Sequence, residues 1–199
     1  MEITVETIKT LREKTGCGMM DCKKALADAK GDIEKAGDIL RKKGLAAVAR
    51  RAGRVAAQGL VDAYIHIGGK IGVLVEVNCE TDFVARSTDF QAFAKDLCLQ
   101  IAAANPQYIS RDDVPDGIIE HEKDIILSQA KTEGKPEKAV EKIVEGRLAK
   151  FYAEVCLLDQ PFIRDQNVII KDLLGSLSAK IGENIVIRRF TRYQLGEKS

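Results

Sequence analysis

The sequence predicts an α+β protein, with a three-helix module at the N-terminus and a core in which a three-stranded antiparallel sheet packs against helices. Three observations predict it. Within the first 44 residues, three apolar stripes recur at helical spacing and are cut by Gly16, Gly31 and Gly44. Two runs of alternating apolar residues flank Gly68-Gly69, a pair able to take positive φ in a tight hairpin turn. Near the C-terminus, Ile185, Ile187 and Phe190 follow Gly182-Glu183-Asn184 and write a third strand.

Val5, Ile8 and Leu11 form the stripe of the first helix, which Gly16 is placed to end in a left-handed cap. Cys22, Ala25, Leu26 and Ala29 share the face of the second, up to Gly31. Asp32 is suited to cap the third, whose Ile33, Ala36, Ile39 and Leu40 face inward until Gly44. A bundle of roughly 45 residues is marginal by itself, so this module is expected to dock on something. Residues 45–58, rich in Ala and Arg, read as a connecting helix and a boundary, which divides the chain into 1–53 and 54–199. In the hairpin, Val61, Ala63, Ile65 and Ile67 alternate in the first strand, and Ile71, Val73, Val75 and Val77 in the second. Phe90, Phe93, Ala94, Leu97, Ile101 and Ala104 mark a helix from near Ser87 to Pro106. Further helices are expected over 115–133, from Pro136 to about Leu158, and over 168–181.

Composition narrows the function. With 45% apolar and 31% charged residues, the chain is ordinary for a soluble globular protein, and no apolar run approaches the ~18 residues of a membrane span. Without the basic and apolar regions of a signal peptide, it reads as cytosolic. Its five cysteines are odd in number and include no Cys-x-x-Cys pair, so reduced thiols are expected rather than a disulfide framework or a zinc ribbon. The net charge of +1 conceals a basic N-terminal part: residues 1–58 hold 13 Lys or Arg against 8 Asp or Glu. Arg41, Lys42, Lys43, Arg50, Arg51 and Arg54 stand in a stretch free of acids, a footprint that suits RNA or the ribosome but better suits a solvated helix end.

Enzyme motifs are incomplete. Neither Gly69-Lys70 nor Gly134-Lys135 has the earlier glycine of a phosphate-binding loop, and Gly16-Cys17-Gly18 lacks the third glycine of a dinucleotide fingerprint. His121-Glu122 starts a zinc-protease motif, but Ile125 stands where the second His belongs, and His66 is the only other histidine. No catalytic centre, metal site or cofactor is expected.

The stretch Cys79-Glu80-Thr81-Asp82-Phe83-Val84-Ala85-Arg86 lies where the second strand stops and a helix is about to begin. Phe83 belongs to neither apolar stripe, so it either packs under the first turn of the following helix as a staple or is free to face a partner.

This stretch resembles the signature of the elongation factor Ts family, and Leu11-Arg12-Glu13-Lys14-Thr15-Gly16-Cys17-Gly18-Met19-Met20-Asp21-Cys22-Lys23-Lys24-Ala25-Leu26 resembles its opening motif. Similar matches follow in order at Gly134-Lys135-Pro136-Glu137, Lys142-Ile143-Val144-Glu145-Gly146-Arg147, Gln160-Pro161-Phe162 and Ile181-Gly182-Glu183-Asn184-Ile185. The resemblance implies a ubiquitin-associated-like N-terminal domain that grips the nucleotide-binding domain of elongation factor Tu, with Met19 and Met20 in an interhelical turn as contact residues. It implies guanine-nucleotide exchange without covalent chemistry, in which Thr81, Asp82, Phe83 and Val84 disturb the partner's magnesium and GDP leaves. Both GDP-bound and nucleotide-free Tu are then partners. As a short-form member the chain is expected to be a homodimer, held without a disulfide, with no membrane and no direct nucleic-acid partner. The competing expectation is an RNA- or ribosome-binding module using Arg41 to Arg54.

Overall fold

The structure, a computed structural model, describes residues 3–133 and 136–197. Three helices open it: α1 (Val5–Thr15), α2 (Met19–Asp28) and α3 (Ile33–Arg51). Thr4 caps α1 by accepting the Thr7 N–H at 3.2 Å, and Gly16 ends that helix at φ 66°. Asp32 caps α3 through the Lys35 N–H at 3.1 Å, which holds its carboxyl below the usual range. Ile8, Leu11, Cys22, Ala25, Leu26, Ala36 and Leu40 form the core of the bundle.

The remaining strands and α-helices follow as β1 (Gln58–Ile65), β2 (Ile71–Cys79), α4 (Asp82–Ala85), α5 (Thr88–Ala104), α6 (Asp116–Thr132), α7 (Glu137–Val155), β3 (Pro161–Phe162), β4 (Asp165–Ile169), α8 (Ile170–Ile181) and β5 (Val186–Gln194). The antiparallel sheet has the order β1-β2-β5, so the C-terminal strand lies beside the second strand of the hairpin. Alternation works as expected in β2, where Val73, Val75 and Val77 are buried, and α5 buries Phe90, Phe93, Ala94, Leu97 and Ile101. Gly59 makes the close approach of β1 to β2 possible: at φ 144° a Cβ there would stand 2.1 Å from the Val77 carbonyl oxygen.

By compactness the chain falls into two units. One holds the residues up to 60 together with 77–91 and 172–186, and the other holds 61–76, 92–171 and the residues from 187 on.

In the first unit, α3 runs through Gly44 rather than ending there. A glycine inside a helix costs about 1 kcal/mol relative to alanine, but here it permits a close approach, since a Cβ would stand 3.3 Å from that of Ala179 in α8. The connecting helix expected after Gly44 is thus the second half of α3. In the second unit, a short β3–β4 hairpin absent from the expectations precedes α8. The buried Gln100 holds it, its Nε2 donating to Gln160 Oε1 at 3.1 Å and to the Pro161 carbonyl at 3.2 Å, while its Oε1 accepts the Ile163 N–H at 2.9 Å. Of the matched stretch at 134–137, Gly134 and Lys135 lie outside the described residues.

Candidate functional site

At the end of β2 the chain makes one short helical turn, α4, and Phe83 is its second residue. The residue is 77% exposed, so it is not a staple under α5. The first turn of α5 is instead closed by Ser87, whose Oγ accepts the Phe90 N–H at 3.4 Å and donates to the Val84 carbonyl at 2.8 Å. Thr81 is the N-cap of α4, its Oγ1 accepting the Val84 N–H at 3.4 Å. Asp82 pairs with Arg86 at 2.9 Å across that turn, and the Arg86 guanidinium lies 5.3 Å from the centre of the Phe83 ring. Thr81, Asp82 and Phe83 are exposed and Val84 is half-buried. The structure therefore brings these four sequence-predicted residues together on one surface turn.

Beneath the turn lies an anchor that sequence reasoning missed. Glu183 Oε2 accepts the N–H groups of Glu80 at 3.0 Å and Thr81 at 3.1 Å, while its Oε1 accepts the Thr81 hydroxyl at 2.6 Å. Glu80 Oε1 in turn accepts the Asn184 N–H at 2.6 Å, and its other oxygen lies 3.6 Å from Arg54. The buried Asn184 amide donates to the Arg54 carbonyl at 2.8 Å. Gly182, left-handed at φ 87°, ends α8 and turns the chain so that Glu183 follows directly. Cys79 is buried below, donating to the Thr81 carbonyl at 3.1 Å; burial, and then the Glu183 charge, push its thiol pKa up. The only signal in the sequence was the matched stretch around Glu183, which carries no role by itself.

The N-terminal contact residues are placed differently from the expectation. Met19 and Met20 do not occupy an interhelical turn but begin α2, with Gly18 as the extended residue before it. Met20 is 76% exposed and Met19 is partly so, which leaves two thioethers at a surface.

The basic stretch is largely engaged within the chain. Arg41 pairs with Asp172 and Lys43 with Asp21, each at 2.5 Å, Arg51 donates to the Ser178 carbonyl at 3.4 Å, and Arg54 faces Glu80. Among the described residues no group of three or more His, Cys, Asp or Glu is disposed to hold a metal, and no helix is long and apolar enough to cross a membrane.

A family model described as elongation factor TS matches residues 35–197. The chain is 64% identical to the elongation factor Ts of Thermoanaerobacter sp. (strain X514) over 98% of this chain and 96% of that one. It is 62% identical to that of Carboxydothermus hydrogenoformans, over 98% and 90%. With that of Moorella thermoacetica the identity is 59%, over 98% and 96%. These alignments extend over both α1 and α2, which the family model does not reach. On the extent of that match and these near full-length identities, the chain belongs to the elongation factor Ts family.

Proposed function

We propose that this chain is a guanine-nucleotide exchange factor for elongation factor Tu, acting in the cytoplasm during translation elongation. The observation that carries the proposal is the exposed Phe83 ring on a capped and anchored turn: a large apolar side chain held out to solvent is suited to enter a partner's apolar pocket. Phe83, presented with Thr81, Asp82 and Val84, enters beside the partner's magnesium site. Magnesium demands near-ideal octahedral coordination, so a small displacement of its ligands or waters loosens the ion and the diphosphate it holds. Met19 and Met20, at the start of α2, adapt to an irregular partner surface and supply docking.

Thermodynamics fixes the direction. A factor that bound GDP-loaded and empty Tu equally would shift nothing, so this one binds the empty form more tightly, and GDP weakens the factor by the same ratio. No bond is made or broken, and the chain is not an enzyme in the covalent sense. Arg41, Lys43 and Arg54 each face a carboxylate of the chain and Arg51 a carbonyl, which offsets part of the charge that the alternative, an RNA-binding module, would present to phosphate.

For assembly we propose a symmetric homodimer through the C-terminal core. Its support is an uncovered apolar patch on the hairpin: Val61 and Ile65 of β1 are 66% and 68% exposed, with Ile67 and Leu74 also exposed. Isolated exposed leucines and isoleucines are normal, but four exposed apolar residues on one hairpin favour burial against a second copy.

Release of a fluorescent GDP analogue from elongation factor Tu tests the exchange proposal. Acceleration by substoichiometric amounts of this chain is expected. An unchanged release rate, together with salt-sensitive RNA binding in a filter assay, would favour the RNA module instead.

A further inference from the structure

We propose that Glu183 is a positioning residue for the Phe83 turn, acting through the hydroxyl of Thr81; this rests on the role of Phe83 given above. A residue that is 77% exposed is not held by core packing, so apart from the Arg86 contact its place is set by the backbone beneath it. That backbone is α4, four residues long, too short to hold its direction by its own hydrogen bonds. Its geometry depends on the cap at Thr81 and on what fixes the cap.

A threonine hydroxyl has one proton and two lone pairs. With the proton directed to Glu183 Oε1 at 2.6 Å, a lone pair remains for the Val84 N–H at 3.4 Å. One carboxylate thus orients the cap, and its second oxygen takes both N–H groups of the segment leading into α4, those of Glu80 and Thr81. Hydrogen bonds to an ionised acceptor are roughly twice as strong as neutral ones. The anchor is reciprocal, because Glu80 Oε1 accepts the Asn184 N–H at 2.6 Å, so the segments 80–81 and 183–184 hold each other from both sides. Glu183 also lies on a stiff support: Gly182 ends α8 in the left-handed region, and Ser178 of that helix donates its hydroxyl to the Glu183 carbonyl. The carboxylate therefore transmits the position of α8 to the exposed ring.

The test measures stimulated release of the fluorescent GDP analogue from elongation factor Tu over a range of factor concentrations, with melting curves on the same preparations. Glu183→Ala is expected to lower the saturating rate about ten-fold while the half-saturating concentration changes less than about two-fold. Thr81→Val, which keeps the shape and removes the hydroxyl, is expected to behave similarly, and Thr81→Ser to restore activity. Glu183→Gln keeps an acceptor for the two backbone N–H groups and falls between wild type and Glu183→Ala. If Glu183→Ala does not fold, the Gln and Val variants carry the test. The decisive comparison is made in the Phe83→Ala background, where Glu183→Ala is expected to cost less than about two-fold because the ring it positions is gone. Losses that multiply in the double variant, or a Thr81→Val protein as active as wild type, would overturn the proposal and leave the role of Phe83 standing. A fully active Phe83→Ala single variant would overturn the role of Phe83 itself.

Discussion

The guanidinium of Arg86 stands over the ring of Phe83, 5.3 Å from its centre, while Nη2 of the same side chain pairs with Asp82 Oδ2 at 2.9 Å. Arg86 so restrains the ring from one side without burying it. Exposed ion pairs of this kind contribute about 0.2 to 1 kcal/mol, so Arg86→Ala is expected to shift the melting temperature by no more than about 4 °C. Exchange should fall a few-fold, because the ring samples more orientations before docking. A melting shift beyond that range, or unaltered exchange, would show that Arg86 serves the fold rather than the ring.

Met20→Ala separates docking from the action of Phe83. The residue is 76% exposed, so its truncation is expected to leave melting unchanged and to raise the half-saturating factor concentration several-fold, with the saturating rate retained. A variant that lost rate at saturation instead would place Met20 outside the docking surface.

The hairpin patch makes a prediction about mass. Wild type at micromolar concentration should scatter light as twice the 21.8 kDa chain, with or without reductant, and Ile65→Glu should scatter as a single chain. Placing a carboxylate in an apolar interface is costly unless it finds a partner. A monomeric wild type contradicts the proposed assembly directly.

Thiol chemistry offers a check on burial. Cys98 and Cys156 are buried, and their pKa values are pushed up to about 12 and about 11, in each case chiefly by burial. Cys17 is the one cysteine that is only partly buried. A thiol reagent at pH 8 should label the partly exposed Cys17 in the native protein, and the buried Cys98 and Cys156, whose raised pKa values keep them as thiols, only on unfolding. Rapid native labelling of Cys98 would contradict its place inside α5.

Elements whose signal is local were legible in the sequence. Gly16 as a left-handed cap, Asp32 as an N-cap and the alternation of Val73, Val75 and Val77 each follow from backbone geometry or period, and each stands in the structure as expected. Gly44 was misread because its reason is tertiary: the helix continues through it, and the missing side chain admits Ala179 from far along the chain. The alternation of Val61 and Ile65 gave strand β1 but not its face, since period two alone does not say which side is covered, and these residues lie on the open side. At the candidate site the exposure of Phe83 was one of two open alternatives, because a staple and a partner-facing ring share the same position in sequence. The Glu183 anchor was invisible for the same reason as Gly44, joining residues about a hundred positions apart through a side chain.

Comparison of Phe83→Ala with Phe93→Ala, on the same preparations and with the same GDP-release assay, tests the central claim most directly. Phe93 is 4% exposed inside α5, and truncating a core phenylalanine costs about 3 to 5 kcal/mol, so that variant should melt well below wild type. Phe83→Ala should melt like wild type. On the proposed role of Phe83 it should lose about 1.5 to 3 kcal/mol of burial against the partner, and GDP release should slow about ten- to hundred-fold. A Phe83→Ala protein that melts like the Phe93 variant, or one that melts like wild type and accelerates GDP release normally, would contradict the account.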